Sequence, residues 1–105
     1  MDYNLSMLQI VRSETFSAWL HELDTSPRAR ILARIRRIEQ LGNSGDWKPV
    51  GNGVNELRIA FGPGYRVYFA RHGNTVVVLL VGGDKSTQTA DIRRAKAIWQ
   101  QFKEG

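Results

Sequence analysis

The chain has 105 residues, of which 42% are hydrophobic, with a formal net charge of +5 and no cysteine. This length fits one domain with a single core, and the missing cysteines exclude disulfides and thiolate chemistry. No apolar run is long enough to span a bilayer, and the start of the chain has no basic region followed by a long apolar stretch. We therefore expect one cytoplasmic domain over residues 1–105, without a signal peptide or a membrane-spanning helix.

The positive charge is distributed unevenly along the chain. Residues 1–27 carry one arginine against four acidic residues, whereas residues 28–105 carry the other 14 basic residues against six acidic ones. A basic body of this kind is typical of proteins that bind a polyanion or an acidic protein. A solvated basic surface that binds nothing explains the charge equally well, so both interpretations stay open at this point.

The first part of the chain predicts a short strand followed by a helical hairpin. The strand covers residues 7–12, and a helix capped by Ser13 or Thr15 follows it. Ser26 and Pro27 suit the N-cap and the first position of a second helix, which ends before a glycine. Apolar residues recur at helical spacing in both helices, at Phe16, Trp19, Leu20 and Leu23 and then at Ile31, Leu32, Ile35, Ile38 and Leu41. The short turn between the two helices predicts an antiparallel pair.

The second helix is strongly basic, and the segment after it looks irregular. The helix carries Arg28, Arg30, Arg34, Arg36 and Arg37. They form either a solvated outer face or a surface for nucleic acid or an acidic partner. Residues 42–55 are rich in Gly and Asn and predict a loop, within which Trp47 is either a packing anchor or a stacking platform for a base.

Residues 56–85 predict three consecutive antiparallel strands with two tight turns. Side chains alternate across a strand, so Leu57, Ile59, Phe61, Val67 and Phe69 should be buried on one face. Arg58, Arg66 and Tyr68 should then share the other face. The third strand, Val76 to Val81, is apolar throughout and should be central, covered on both faces.

A final helix capped by Ser86 or Thr87 should turn its apolar residues toward the body. These are Ile92, Ala95, Ile98, Trp99 and Phe102. The chain therefore predicts an α+β fold in which an N-terminal helical hairpin packs on a mostly antiparallel four-stranded sheet, with a C-terminal helix.

Several kinds of active site are excluded by the residues available. The chain has no GxxxxGK[ST] loop, no GxSxG motif, and only two histidines with no cysteine, so we expect no zinc site, other metal or cofactor. What remains is a cationic cluster of Arg58, Arg66 and Lys85 with Tyr68. Cross-strand neighbours lie about 5 Å apart, so such cations should bind an anion, and phosphate fits the planar arginine fork.

This cluster could cleave RNA without a metal ion. A 2′-hydroxyl would attack the adjacent phosphate while the cations stabilise the developing charge. Lys85 could accept a proton if neighbouring cations favour its neutral form, and Tyr68 or His72 could supply one. An equally good interpretation of the spacing is that Arg58 and Arg66 form salt bridges to Glu56 or Asp84.

Four segments together resemble the RelE/ParE superfamily of bacterial toxins, and most closely its HigB-like branch of addiction module killer proteins. They are NELRI, GPGYRVYF, VVVLLVGGDKS and TADIRRAKAIW. The resemblance implies the fold described above and a toxin neutralised by a cognate antitoxin, in this branch a helix-turn-helix protein encoded beside it. It also implies an endoribonuclease that cuts mRNA on the ribosome without a metal, and a heterotetramer with the antitoxin is one possible assembly.

The resemblance assigns the catalytic residues by position. Arg58, Arg66 and Lys85 match basic positions of the family, and Tyr68 completes the predicted catalytic set. Ser86 replaces a second basic residue, and the last helix has no equivalent of the C-terminal catalytic tyrosine. For the RNA itself we predict contacts from Arg34, Arg37, Lys48, Arg71 and His72. A ParE-like gyrase inhibitor without nuclease activity, or an inactive module that only binds its antitoxin, is the alternative.

Overall fold

The computed structural model of the chain describes residues 9–41, 47–73 and 76–105, without the side chains of residues 39–41. Its strands are β1 (Gln9–Arg12), β2 (Trp47–Gly51), β3 (Val54–Ile59), β4 (Tyr65–His72) and β5 (Val76–Asp84). Its helices are α1 (Glu14–Glu22), α2 (Thr25–Leu41) and α3 (Gln88–Glu104), and one 3-10 turn, Lys85–Thr87, precedes α3. The strands form one sheet in the order β1-β5-β4-β3-β2, in which β1 runs parallel to β5 and the other pairs are antiparallel.

The predicted α+β fold is confirmed, but the sheet has five strands where four were expected. The additional strand is β2, so the prediction of a loop over residues 42–55 is wrong from Trp47 onward, and residues 42–46 lie outside the described part. The segment WKPVG does not indicate a strand in the sequence because it contains proline and glycine. Its pairing with β3 shifts register between Pro49 and Gly51. An edge strand tolerates proline because one row of its backbone groups pairs with no neighbour.

The helical hairpin covers one face of the sheet, as the alternation predicted. Leu57, Ile59, Val67 and Phe69 are buried there, and Phe61 packs at the margin. From the helices this core receives Phe16, Leu20, Ile31, Ile35 and Ile38. The Ser13 hydroxyl caps α1 by accepting from the Phe16 N–H at 2.9 Å, and it donates to the Leu80 carbonyl at 2.7 Å. It thereby fixes the start of the hairpin to β5.

The turn between α1 and α2 is shorter than predicted. α2 begins at Thr25, because the Arg28 N–H donates to the Asp24 carbonyl at 3.1 Å, so Ser26 is not the N-cap. The Arg28 guanidinium donates to the carbonyls of Leu20 and His21 at 3.2 and 2.9 Å. The Leu20 carbonyl also accepts from the Leu23 N–H at 3.2 Å, and the arginine adds donors from α2 to this end of α1, which holds the two helices together.

The opposite face of the sheet is covered by α3, and β5 is buried along almost its whole length, as expected of a central strand. Val54, Tyr68, Ala70 and Val78 pack there against Ala95 and Trp99. At adjacent positions of β5, a Cβ on Gly82 would overlap the Trp19 indole of α1, and a Cβ on Gly83 would overlap the Asp91 carboxylate of α3. The two glycines therefore let a helix approach from each face. Within the described ranges, no helix is long and apolar enough to cross a membrane.

Candidate phosphate-binding site

Two arginines lie directly opposite each other at the ends of β3 and β4. Arg58 and Arg66 are register partners, and both side chains belong to the face that α3 covers. The Arg58 side chain is 44% exposed and that of Arg66 is 12% exposed. Like charges directly across a strand pair repel one another, so this arrangement requires a compensating negative charge.

Glu56 supplies that charge from below the arginines. Its carboxylate has no exposed surface, and its Oε1 accepts from Arg58 Nε at 3.2 Å. Its Oε2 lies 3.6 Å from Arg66 Nε and accepts hydrogen bonds from Tyr68 Oη at 3.1 Å and Gln88 Nε2 at 2.7 Å. Of the two salt-bridge partners that the sequence left open, the structure therefore pairs the arginines with Glu56. Asp84 instead accepts from the Ser86 N–H at 2.8 Å, and Ser86 lowers its pKa.

Glu56 is charged in the folded protein. Burial raises its pKa, but the hydrogen bonds from Gln88, Arg58 and Tyr68 and the charge of Arg66 outweigh this, so its pKa lies below the ordinary value of 4.5. Burial, and after it the Glu56 charge, raise the pKa of Tyr68. Tyr68 is fully buried, so its hydroxyl stays protonated and donates to Glu56 instead of facing solvent.

The outer nitrogens of both arginines are left for an external anion. A guanidinium has five N–H donors; Arg58 gives its Nε–H to Glu56, whereas Arg66 Nε forms an ion pair with the carboxylate at 3.6 Å without a hydrogen bond. In the part of the chain that the structure describes, the Nη atoms of Arg58 and Arg66 have no hydrogen-bond partner, and Arg66 Nε is buried without one. The arrangement can therefore offer several N–H donors to a phosphate at the surface.

Lys85 flanks the arginine pair at the end of β5. It is the exposed first residue of the 3-10 turn, which Asp84 caps in a reciprocal capping box with Thr87. The Lys85 Cβ and Arg66 Nη1 lie 3.6 and 3.8 Å from the point that a Cβ on Gly64 would occupy, so both border the β3–β4 turn. The structure thus places Arg58, Arg66 and Lys85 around one surface, with Tyr68 beneath it.

The five residues predicted to contact RNA lie in different places. Lys48 is the register partner of Glu56 on β2, so it shares the face of the arginine pair, and Arg34 Nη1 donates to the Arg58 carbonyl at 3.2 Å. Arg37 is exposed further along α2. Arg71 and His72 end β4 five and six positions beyond Arg66, about 17–20 Å away at the usual rise of a strand.

The aromatic candidates are both packed and partly exposed. The Trp47 ring meets Phe69 edge-on with centroids 5.9 Å apart, which anchors β2, and 40% of the residue stays exposed. The centroid of the His72 ring lies 6.4 Å from that of Trp99 and 5.7 Å from that of Phe102, both on α3.

Sequence reasoning named Glu56 as one of two possible salt-bridge partners of the arginines but missed Gln88. The strand alternation that puts Glu56 and Arg58 on one face supported the salt bridge to Glu56. Gln88 gives no such signal, because a neutral amide at a helix start resembles any other surface residue. Among the described residues, no three acidic or histidine side chains converge to hold a metal ion.

Comparisons with known proteins agree with this fold. Residues 18–103 match the family described as Phage derived protein Gp49-like (DUF891). An uncharacterized protein of Haemophilus influenzae is 48% identical over 96 residues, covering 90% of this chain and 96% of that protein. A mutant of the E. coli toxin RelE in the free state superimposes with a TM-score of 0.65 at 13% identity, over 84% of this chain and 97% of that chain.

A second solved structure, the toxin-antitoxin complex RelBE2 of Mycobacterium tuberculosis, gives a TM-score of 0.54 at 22% identity, over 81% of this chain and 99% of that chain. These two structures confirm the fold that the resemblance to the RelE/ParE superfamily implied. The chain belongs to the Phage derived protein Gp49-like family and has the fold of the RelE toxins.

Proposed function

We propose that this protein is the toxin of a toxin–antitoxin module and that it cleaves mRNA on the ribosome without a metal ion. The observation that carries the proposal is the pair of facing arginines, Arg58 and Arg66, which form ion pairs with Glu56 through their Nε atoms and whose Nη atoms are left for a phosphate. The family and the fold support a toxin, and the basic surface supports a nucleic-acid substrate.

The proposed reaction is an attack of the RNA on itself. The 2′-oxygen forms a bond to the adjacent phosphorus, its proton passes to a base, and the bond to the 5′-oxygen of the next nucleotide breaks as that oxygen gains a proton. Arg58 and Arg66 bind the phosphate oxygens and stabilise the charge that develops on them. Lys85 is the exposed group beside them that is suited to proton transfer. For Tyr68 we propose that it orients Glu56, because its hydroxyl is buried and already donates to that carboxylate.

The proposed partner is a cognate antitoxin. One of the solved structures that share this fold is a toxin-antitoxin complex, and the exposed nitrogens of the arginine pair suit acidic side chains as well as phosphate. We propose that an acidic antitoxin segment covers Arg58 and Arg66 in the cytoplasm, so that the same nitrogens bind the antitoxin or the RNA but not both. The helix-turn-helix nature of that antitoxin and a heterotetrameric assembly remain predictions from the resemblance.

A non-nuclease inhibitor, such as a gyrase poison, is the second candidate. The observation that favours it is that Glu56 already neutralises part of the arginine charge, so the cluster could serve to fasten β3, β4 and α3 together. In that case the arginines would stabilise the fold, and another surface would carry the toxicity.

The test is to express the protein briefly in cells and to map new mRNA 5′ ends. We expect cuts inside translated codons for the wild type and for the control Arg36→Ala, whose exposed arginine lies on α2. Arg66→Ala should remove the cuts, because the loss of one donor to the developing charge costs on the order of 10²–10³ in rate. Circular dichroism of the purified variants checks that they fold. Cuts that persist in folded Arg66→Ala would overturn the phosphate site, and growth arrest without new ends would favour the inhibitor.

A further inference from the structure

We propose that Glu56 is a positioning residue, which holds Arg58 by a hydrogen bond and Arg66 by an ion pair, both at Nε, so that their Nη atoms meet the phosphate. This inference rests on the proposed function, and it assigns a role that the positions of the arginines alone do not. Glu56 has no exposed surface, so it acts through Arg58 and Arg66 and does not touch the RNA.

The first step concerns the direction of the guanidinium groups. An arginine on the free edge of a site has four rotatable bonds, and its planar fork can face many ways. Here the Glu56 carboxylate takes the Nε edge of Arg58 at 3.2 Å and lies 3.6 Å from that of Arg66. One Nη group of a guanidinium lies on the edge opposite the Nε–H, so a contact between Nε and Glu56 leaves that Nη group directed away from the carboxylate.

The second step concerns what holds Glu56 itself. Tyr68 from β4 and Gln88 from the start of α3 both donate to Oε2, at 3.1 and 2.7 Å. The carboxylate is therefore fixed from two elements while Oε1 stays directed at Arg58. Gln88 also makes the site depend on the docking of α3, because its amide reaches the carboxylate only when the helix covers the sheet.

The third step concerns charge. Two facing arginines and one buried carboxylate leave a net charge of about +1 for the ligand, where the arginines alone would present about +2. Replacing Glu56 by glutamine keeps the shape but removes the negative charge, and it brings an NH₂ group close to cationic donors. The positioning role therefore predicts two opposite effects of Glu56→Gln. Phosphate binds more tightly because the charge has risen, and cleavage slows because the arginines are no longer oriented.

The experiment measures binding and cleavage separately. Binding to purified protein is followed with inorganic phosphate and with a short single-stranded RNA carrying 2′-O-methyl groups, which cannot be cut by its own 2′-oxygen. We expect Glu56→Gln to bind the RNA roughly tenfold more tightly at low salt, and the slope of log K against log salt to steepen by about 0.7. Mapped mRNA cuts should fall by about 100-fold, the cost expected when reacting groups lose their alignment.

Glu104→Gln is the matched control, because it makes the same change in net charge at an exposed residue whose contact is Gln100. It should leave both measurements near the wild-type values. A direct readout comes from the arginine Nε–H signals in NMR spectra of the free protein. Two of them should shift in Glu56→Gln and not in Glu104→Gln.

Several outcomes would overturn the inference. Unchanged RNA affinity and unchanged cleavage in Glu56→Gln would reduce Glu56 to a structural ion pair. If Glu56→Gln binds RNA with unchanged affinity but its cleavage rate no longer falls at low pH, Glu56 acts as a general base and not as a positioning residue. If Glu56→Gln does not fold, Gln88→Ala replaces it, since it removes one donor to Oε2 and should slow cleavage in the same direction. Arg66→Ala separates the two proposals: if it leaves RNA binding intact, the phosphate site itself fails, whatever Glu56 does.

Discussion

At the scale of single residues, the buried carboxylate of Glu56 is the most consequential group in the chain. An isolated charge removed from water is costly, and Glu56 remains charged because three donors and a nearby guanidinium compensate for the lost hydration. Removing one partner leaves the others with an uncompensated charge, so the cluster acts as a unit in stability as well as in binding.

The charge of Glu56 predicts how stability responds to acid. Its folded pKa lies below 4.5, the unfolded value, so its contribution is fully present above that pH and is lost as the pH falls through the folded pKa. We expect the free energy of unfolding, measured with urea between pH 7 and about pH 3, to fall more steeply for the wild type than for Glu56→Gln.

A matched comparison is Asp84→Asn, because the pKa of Asp84 is also lowered, in this case by hydrogen bonds from Ser86. Asp84 lies near the surface, so its effect on the acid slope should be the smaller one. If the free energy of unfolding falls with pH at the same rate in the wild type and in Glu56→Gln, the prediction is contradicted.

At the scale of secondary structure elements, the sequence predicted those features that follow from regular patterns. Leu57, Ile59, Val67 and Phe69 were placed correctly because strands alternate strictly, and the hairpin because its apolar stripes have helical spacing. β2 was missed because its own residues do not have the alternating pattern of a strand, and it is a strand only through its pairing with β3. The clustering of Glu56 with Gln88 was missed because it joins residues 32 positions apart, and no local pattern records such a contact.

β5 is the element on which both helical layers converge. Trp19 of α1 lies against Gly82, and Asp91 of α3 lies against Gly83, so any side chain at either glycine would displace a helix. The Asp91 carboxylate also accepts a hydrogen bond from Thr87, which ties the 3-10 turn after Lys85 to the same place. The lysine of the site is therefore positioned by packing around a pair of glycines.

We predict that Gly82→Ala destabilises the protein by about 1–3 kcal/mol, the usual cost of overpacking a core. The cause is the overlap between the new methyl group and the Trp19 indole. Urea unfolding of Gly82→Ala, Trp19→Leu and the double variant measures this cost. In the Trp19→Leu background the cost of the alanine should shrink by at least about 0.5 kcal/mol, because the two residues are in contact. Additive effects would show that the overlap is relieved elsewhere.

At the scale of the whole molecule, the cations that could follow an RNA strand are spread over two ends of the sheet. Lys48 shares a face and an end with Arg58 and Arg66, whereas Arg71 and His72 lie at the other end of β4. Of the RNA contacts predicted from sequence, Lys48 thus lies beside the arginine pair, Arg71 and His72 lie about 17–20 Å away along the strand, and Arg34 and Arg37 belong to α2.

This division predicts different effects for two alanine variants. Lys48→Ala should weaken binding of a short 2′-O-methyl RNA and reduce the magnitude of the salt slope by about 0.7, the loss of one phosphate contact to a single strand. His72→Ala should leave that short RNA unaffected, because a ligand seated on the arginine pair does not extend so far. Fluorescence anisotropy over a salt series measures both. An equal loss in His72→Ala would show that the RNA runs along α3 instead.

The parallel pairing of β1 with β5 has a consequence for how the protein is made. Ser13, directly after β1, contacts Leu80 of β5, which leaves the ribosome 67 residues later, a delay on the order of seconds at ordinary rates of synthesis. Until β5 emerges, β1 has no strand to join, and Gln88 of α3, which secures Glu56, emerges later still. The β3–β4 hairpin with its two arginines can form locally before then, whereas the sheet and the carboxylate contacts must wait. A nascent chain therefore exposes its basic hairpin before its site is assembled, and the proposed antitoxin, if made at the same time, can reach the arginines first.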